Sequence, residues 1–197
     1  MAGFHLPIVF LTLGMLLSAC TTPPAPPAAL EITFQHRDPI ALNVAAIEFV
    51  DRHVPSKRAP NVEHLHRDTP SGLAARWVKD RLRAAGSGGH LTLFVEKGDV
   101  WEEALKVETG FTGLFTDNLQ TRLHARLKTR LEYVGDVGGT QQAYTVTAEA
   151  KAEQEVLESA TMNERDLAYL QTLEALAAEF DKIMEAEIRR ALAPALR

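Results

Sequence analysis

The chain has 197 residues, 46% of them hydrophobic, and it carries a formal net charge of −5 at pH 7. One cysteine in the whole chain excludes a disulfide-stapled scaffold. The slight acidic balance, with basic residues interleaved among acidic ones, argues against a nucleic-acid-binding protein.

The N-terminus contains an apolar stretch, from Leu6 to Leu17, that ends just before the only cysteine, Cys20. At about 12 residues it falls short of the roughly 18 that a membrane-spanning helix needs. It has the length of a signal-peptide core, and the small residues Ser18 and Ala19 follow it. No Lys or Arg precedes it, so the positive charge of this segment rests on the α-amino group and His5.

The residues Leu17-Ser18-Ala19-Cys20 resemble the lipobox of bacterial lipoproteins. The resemblance implies that residues 1–19 are a signal peptide and that Cys20 becomes the lipidated first residue of the mature chain. It also implies outer-membrane sorting and a periplasmic location, because aspartate at the position of Thr21 is the usual signal for retention in the inner membrane. The alternative is a secreted protein with a stray or buried cysteine.

A proline-rich tether follows the cysteine and completes the segment 20–30, with Pro23, Pro24, Pro26 and Pro27. This composition favours an extended polyproline II conformation. At about 3.1 Å per residue the tether would hold the following domain roughly 30 Å from the membrane. A disordered tether of no fixed length is the alternative.

Residues 31–197 are predicted to form a single α+β domain. Residues 43–50 read as a central strand, since apolar residues fall on both faces. Thr69 and Pro70 predict the N-cap and first residue of a helix that ends at Gly86. Its buried stripe is expected to contain Leu73, Ala74, Trp77, Val78 and Leu82. The next strand is expected at residues 90–96, with Leu91, Leu93 and Val95 on one face.

Two further strands alternate strictly and predict a hairpin across residues 121–153, with its turn in the segment GDVGGT. Odd residues from Leu123 to Tyr133 and even residues from Tyr144 to Ala152 form the inner face. The outer face carries a basic stripe. A register with Leu131 opposite Tyr144 would place Arg126 opposite Glu149 and Arg122 opposite Glu153, which explains the stripe without a ligand.

A long C-terminal helix begins at the capping box Thr161–Glu164 and continues to about Leu192 without glycine or proline. The small inner residues Ala148, Ala150 and Ala152 let this helix approach the sheet closely. We therefore expect a two-layer sandwich: a mostly antiparallel sheet of about four strands covered by two helices, in the order β-α-β-β-β-α.

Catalytic motifs are absent from the sequence: there is no GxSxG, no HExxH and no phosphate-binding glycine loop. The best metal-binding candidates are His64 and His66, flanked by Glu63 and Asp68, but zinc usually takes three or four protein ligands. A solvated loop is the favoured interpretation. We predict neither an enzyme, nor a bound metal, nor a cofactor.

The segment 109–118, TGFTGLFTDN, places Phe111, Leu114 and Phe115 among glycines and polar residues. Apolar side chains on such a loop are candidates for contact with a lipid or a protein partner. The alternative is that they fold over the sheet and close the core.

The order of elements behind a lipid anchor resembles two groups of envelope lipoproteins. One comprises the auxiliary lipoproteins of ABC-type lipid transporters, and the other assists lipopolysaccharide assembly in the outer membrane. The resemblance implies a noncatalytic adapter that binds an envelope protein or a lipid. Alternatives are a structural or peptidoglycan-associated lipoprotein, and a periplasmic metal-binding protein or enzyme that uses His64 and His66.

Overall fold

The computed structural model describes residues 31–105 and 120–197. The helices and strands are β1 (Ile40–Leu42), β2 (Ala46–Asp51), α1 (Pro70–Arg81), β3 (Leu82–Ala84), β4 (His90–Leu105), β5 (Gln120–Val137), β6 (Thr140–Leu157) and α2 (Met162–Ala191). Single 3-10 turns occupy Glu63–Leu65 and Ala193–Ala195. Within the part of the chain that the structure describes, neither helix has the length and apolarity of a membrane span.

The main sheet has four strands in the order β2-β4-β5-β6. β2 runs parallel to β4, and the other two neighbouring pairs are antiparallel. Both helices contact this sheet and each other. A second, two-stranded parallel sheet pairs β1 with β3. The predicted α+β class, with a mostly antiparallel sheet of four strands and two helices, is confirmed.

Helix α1 begins as its sequence predicts. The Thr69 side chain accepts a hydrogen bond from the Gly72 amide at 3.1 Å, and Pro70 occupies the first turn, where its missing N–H costs nothing. Leu73 and Trp77 are fully buried. The helix thus turns its apolar stripe to the core.

The predicted end of α1 at Gly86 is wrong, because the helix stops at Arg81. Leu82 is already extended, and Leu82–Ala84 pair with β1 as a strand. Gly86 serves a close approach instead: a Cβ there would lie 2.7 Å from the Val44 backbone nitrogen, and the Gly86 amide donates to the Val44 carbonyl. Pairing with a remote segment overrides the local preference for helix.

The prediction of a central strand over residues 43–50 is also wrong in position. The strand β2 begins at Ala46 and forms one edge of the main sheet. Its residues are half-buried or exposed, whereas those of β4 beside it include a run of five buried residues from Leu91 to Val95. Apolar residues on both faces of β2 do not place it at the centre.

The hairpin β5–β6 has the predicted inner faces but a different register. Leu131 lies opposite Val146, so Arg126 faces Lys151 and Arg122 faces Glu155. The shift by two residues arises because the turn contains only Gly138 and Gly139. Both have positive φ (63° and 82°), the backbone of a two-residue hairpin turn, and Val137 already pairs with Thr140.

Helix α2 lies mainly on β6, over the small residues Ala148 and Ala150, which are 4% and 1% exposed. It begins at the predicted capping box: Thr161 accepts from the Glu164 amide, and the Glu164 carboxylate accepts from the Thr161 amide at 2.7 Å. This hydrogen bonding lowers the pKa of Glu164.

Candidate functional site

Four residues predicted to carry function lie outside the described residues. They are the lipidation site Cys20 and the contact candidates Phe111, Leu114 and Phe115. The boundaries predicted at residues 19 and 30 lie there too. The described chain does locate both ends of the segment 106–119, because Leu105 pairs with Gln120 and Gln120 pairs with Leu157.

Exposed apolar side chains occur on the elements that adjoin the last residues of β4 and β6. Leu157 closes β6 and is 47% exposed, and Met162, which opens α2, is 73% exposed. Leu167 in the second turn of α2 and Leu65 in the nearby 3-10 turn are also exposed. We call Leu65, Leu157, Met162 and Leu167 the apolar end. Large apolar residues grouped at a surface are typical of contact with a partner or a lipid.

The two histidines named as metal-binding candidates lie in different surroundings. His64 is exposed on the 3-10 turn, whereas the His66 ring stacks on Tyr169 with centroids 3.6 Å apart. Burial lowers the pKa of His66, against the opposing charges of Asp166 and Glu102. Tyr169 donates to the Asp68 carbonyl at 2.8 Å, and burial raises its pKa. Among residues 31–105 and 120–197, no three His, Cys, Asp or Glu residues form a group that could hold a metal ion.

The basic stripe on the outer face of β5 is neutralised by acidic neighbours on both adjacent strands. On one side, Arg126 pairs with Asp99, and His124 Nε2 lies 2.7 Å from Glu103 Oε2. On the other side, Arg122 Nη2 lies 2.7 Å from Glu155 Oε1. The predicted pairing of Arg126 with Glu149 is wrong, because Arg126 faces Lys151 and pairs with Asp99 of β4 instead. The predicted partner of Arg122, Glu153, has Oε2 4.0 Å from Arg122 Nε, and Glu155 lies closer.

Buried polar side chains also meet where β4 bulges. His53 and Glu63, with side chains 5% and 1% exposed, have Nε2 and Oε1 4.0 Å apart. His53 Nδ1 lies 3.8 Å from Asp99 Oδ1, and Ser71 Oγ has no hydrogen-bond partner in the described chain. Both distances exceed hydrogen-bond length. Glu63 accepts from the Val100 amide and so helps to fix the loop to the sheet.

A groove of about 640 Å³ runs between β6 and α2. Its floor includes Ala152, and one flank of α2 overhangs it with Ala175, Glu179 and Ile183. Glu149, Lys151 and Glu153 complete the lining along β6. We call this feature the β6–α2 groove. It offers a sheet edge beside a helix, the arrangement that binds an extended peptide in many recognition domains.

The β6–α2 groove was not predicted from the sequence. Its one visible signal is the spacing of Ala175, Glu179 and Ile183, four residues apart along one helix flank. That spacing places Ala175, Glu179 and Ile183 in a row on α2, next to its buried face. Only the order of the strands shows that this row lies beside the edge strand β6. The candidate surfaces of the described chain are therefore the apolar end and the β6–α2 groove.

Comparison with known proteins adds little. No protein-family profile matches this chain, and no curated protein sequence matches it. A solved structure described as a minor lipoprotein from Acinetobacter baumannii is similar to it with a TM-score of 0.36 and 11% sequence identity. The similarity covers 76% of this chain and 96% of that one. A likeness so distant carries no argument about the function of this protein.

Proposed function

We propose that this chain is a lipid-anchored lipoprotein of the bacterial envelope that acts as a noncatalytic binding or adapter subunit. The observation that carries the proposal is the position of Cys20: the only cysteine directly follows an apolar core and precedes a proline-rich segment. Several acyl chains on one residue make a stable anchor, since each buried methylene contributes about 0.8 kcal/mol. By resemblance to the lipobox, the anchored domain lies on the periplasmic side of the outer membrane.

The proposed binding face is the apolar end together with Phe111, Leu114 and Phe115. Support comes from the strand pairing of the two flanking residues: Leu105 pairs with Gln120, and Gln120 pairs with the exposed Leu157. The partner would be an envelope protein, such as a subunit of a lipid transporter or an assembly machine, or a lipid. No nucleic acid or cofactor takes part in this proposal.

Affinity capture in mild detergent tests this function. The wild type is compared with Phe111→Ser/Phe115→Ser, and co-purifying proteins and lipids are identified by mass spectrometry. Thr112→Ser/Thr116→Ser changes the same segment without removing apolar side chains and is the matched control. The expected result is a specific partner or lipid retained by the wild type and the control and lost from the phenylalanine variant.

A second variant keeps this test decisive if the phenylalanine variant unfolds. Leu157→Ser/Met162→Ser alters side chains that are already exposed, so its thermal unfolding should match that of the wild type. Loss of the same partner from this variant supports the proposed face. Capture of an unchanged set of proteins and lipids by a folded Leu157→Ser/Met162→Ser variant would overturn it.

A further inference from the structure

The strand β6 ends the main sheet with a long open edge. Its 18 residues pair with β5 in one uninterrupted register, from Thr140 opposite Val137 to Leu157 opposite Gln120. About half of its backbone amides and carbonyls therefore point away from β5. No described residue forms a backbone ladder along that side. Native proteins protect edge strands with bulges, prolines, short length or charged side chains. β6 has none of the first three, and it carries charged side chains, Lys151 and Glu153 among them, on its outer face.

The β6–α2 groove lies directly beside this edge. An added strand would lie about 4.8 Å from β6, with alternate side chains on each face of the sheet. Those on the inner face would enter the groove beneath Ala175, Glu179 and Ile183. We propose that the β6 edge and the β6–α2 groove bind one extended segment of a partner protein, which adds to the sheet as a fifth strand. This inference deepens the proposed binding function and rests on it.

A second copy of the chain does not fit over the part of this edge that α2 covers. Helix α2 lies mainly on β6, so a copy paired through its own β6 would bring its α2 over the neighbouring strand. The two helices would then be separated by little more than the spacing between strands, about 4.8 Å, whereas packed helices need 8–10 Å. An extended segment brings no helix of its own and avoids this overlap.

The lining residues define the chemistry of the partner segment. The lining holds an excess of carboxylates, those of Glu149, Glu153 and Glu179, over one ammonium group, that of Lys151. Lys151 lies 3.3 Å from Glu149, Glu179 pairs with Lys182 beside the groove, and Glu153 lies 3.1 Å from His124. The apolar side chains that line the groove are two small ones, Ala152 and Ala175, and that of Ile183 farther along α2. The segment should therefore carry small or aliphatic side chains toward α2 and Lys or Arg on the opposite face. Because β6 continues from Glu153 to Leu157, the segment would extend toward the apolar end.

Site-specific photo-crosslinking in cells that express the full chain tests this inference. Benzoylphenylalanine is placed at Lys151 and at Glu155, four residues apart on the outer face of β6. Ala175→Trp fills the groove, and Ala186→Trp adds the same side chain to an exposed position of α2 outside the groove lining. Adducts are mapped to partner residues by mass spectrometry.

The expected result is that both probes label a single partner segment, at residues about four apart, as paired strands require. Ala175→Trp should lower the yield at least about tenfold, and Ala186→Trp should leave it unchanged. Scattered labels, an unchanged yield in Ala175→Trp, or an adduct between two copies of the chain would overturn the inference. If crosslinking fails but affinity capture still retains a partner, only the inference about the β6 edge is overturned. If crosslinking and affinity capture both fail, the proposed binding function is overturned as well.

Discussion

The guanidinium of Arg81 on α1 donates to the carboxylate of Asp181 on α2, with Nε and Oδ1 2.7 Å apart. The two side chains are 2% and 8% exposed. The same carboxylate accepts from Trp77 Nε1 at 2.8 Å and from Arg37 Nε at 3.2 Å. One buried carboxylate thus ties both helices and the N-terminal segment of the domain together.

Replacing this carboxylate should destabilise the fold strongly. Asp181→Ala leaves the Trp77 Nε1 donor without its acceptor and removes one of the two carboxylates that pair with Arg81, the other being Glu185 with Oε2 2.5 Å from Arg81 Nη2. Because Glu185 remains, the loss should be about 3 kcal/mol, the lower end of the cost of breaking a buried ion pair. Arg189→Ala removes a surface pair with Glu185 and should cost less than about 1 kcal/mol. Urea unfolding measures both free energies. If both variants lost the same small free energy of unfolding, Asp181 would not be needed to compensate the buried charge of Arg81.

The ring of His66 predicts a pH-dependent stability. Burial lowers its pKa below the ordinary 6.5, so the unfolded chain takes up this proton at a higher pH than the folded chain. The free energy of unfolding should therefore fall as the pH drops from about 6.5 through the lowered pKa, and this contribution is restored above that range.

His66→Phe keeps the stack on Tyr169 and removes the titration. We expect its denaturation midpoint to fall less than that of the wild type between about pH 7.5 and pH 5. His64→Phe, two residues earlier and exposed, should retain the pH dependence of the wild type. A difference of the opposite sign, or none, would contradict the assigned role of burial.

Replacing two nearby glycines, Gly86 and Gly88, by alanine should affect stability differently. A Cβ on Gly86 would lie 2.5 Å from Asn43 Oδ1 and 2.7 Å from the Val44 backbone nitrogen, so Gly86→Ala should cost about 1–3 kcal/mol. A Cβ on Gly88 meets nothing within 4 Å, and Gly88→Ala should be neutral or slightly stabilising. Thermal unfolding of the two variants checks this, and similar unfolding temperatures would count against the close approach at Gly86.

Much of the fold was accessible from periodicity and capping. Leu127 and Lys128 alternate on β5 as a half-buried strand requires, and Thr161 with Glu164 marks the start of α2 at the residue where it begins. Each of these signals is local, because it depends on residues at most a few positions apart in the sequence. The separate sheet β1–β3 was missed because strands of three residues have no measurable period and because their paired residues are 42 positions apart in the sequence.

The candidate surfaces were less accessible because they depend on strand order. The alternating pattern of β6 does not reveal that β6 is the last strand of the sheet. The sequence of α2 likewise does not reveal that Ala175 lines the groove beside β6. The hairpin register failed for a related reason. A pattern of period two permits any shift of two residues, and only the two-residue turn at Gly138–Gly139 selects one.

The residue after the lipidation site predicts the destination membrane. If the resemblance to the lipobox of bacterial lipoproteins holds, Thr21 permits export to the outer membrane, so Thr21→Asp should retain the protein in the inner membrane. Density-gradient separation of the two membranes measures the distribution, with Thr21→Ser as the control that should remain with the outer membrane. An unchanged distribution of Thr21→Asp would contradict the sorting signal.

The most direct test of the central claim is the intact mass of the protein extracted from membranes. The account predicts a chain that begins at Cys20, lacks residues 1–19 and carries diacylglyceryl and acyl groups on that residue. Cys20→Ser should yield an unlipidated chain that is not cleaved at this point. A wild-type chain that retains Met1, or that carries Cys20 as a free thiol, would contradict the account.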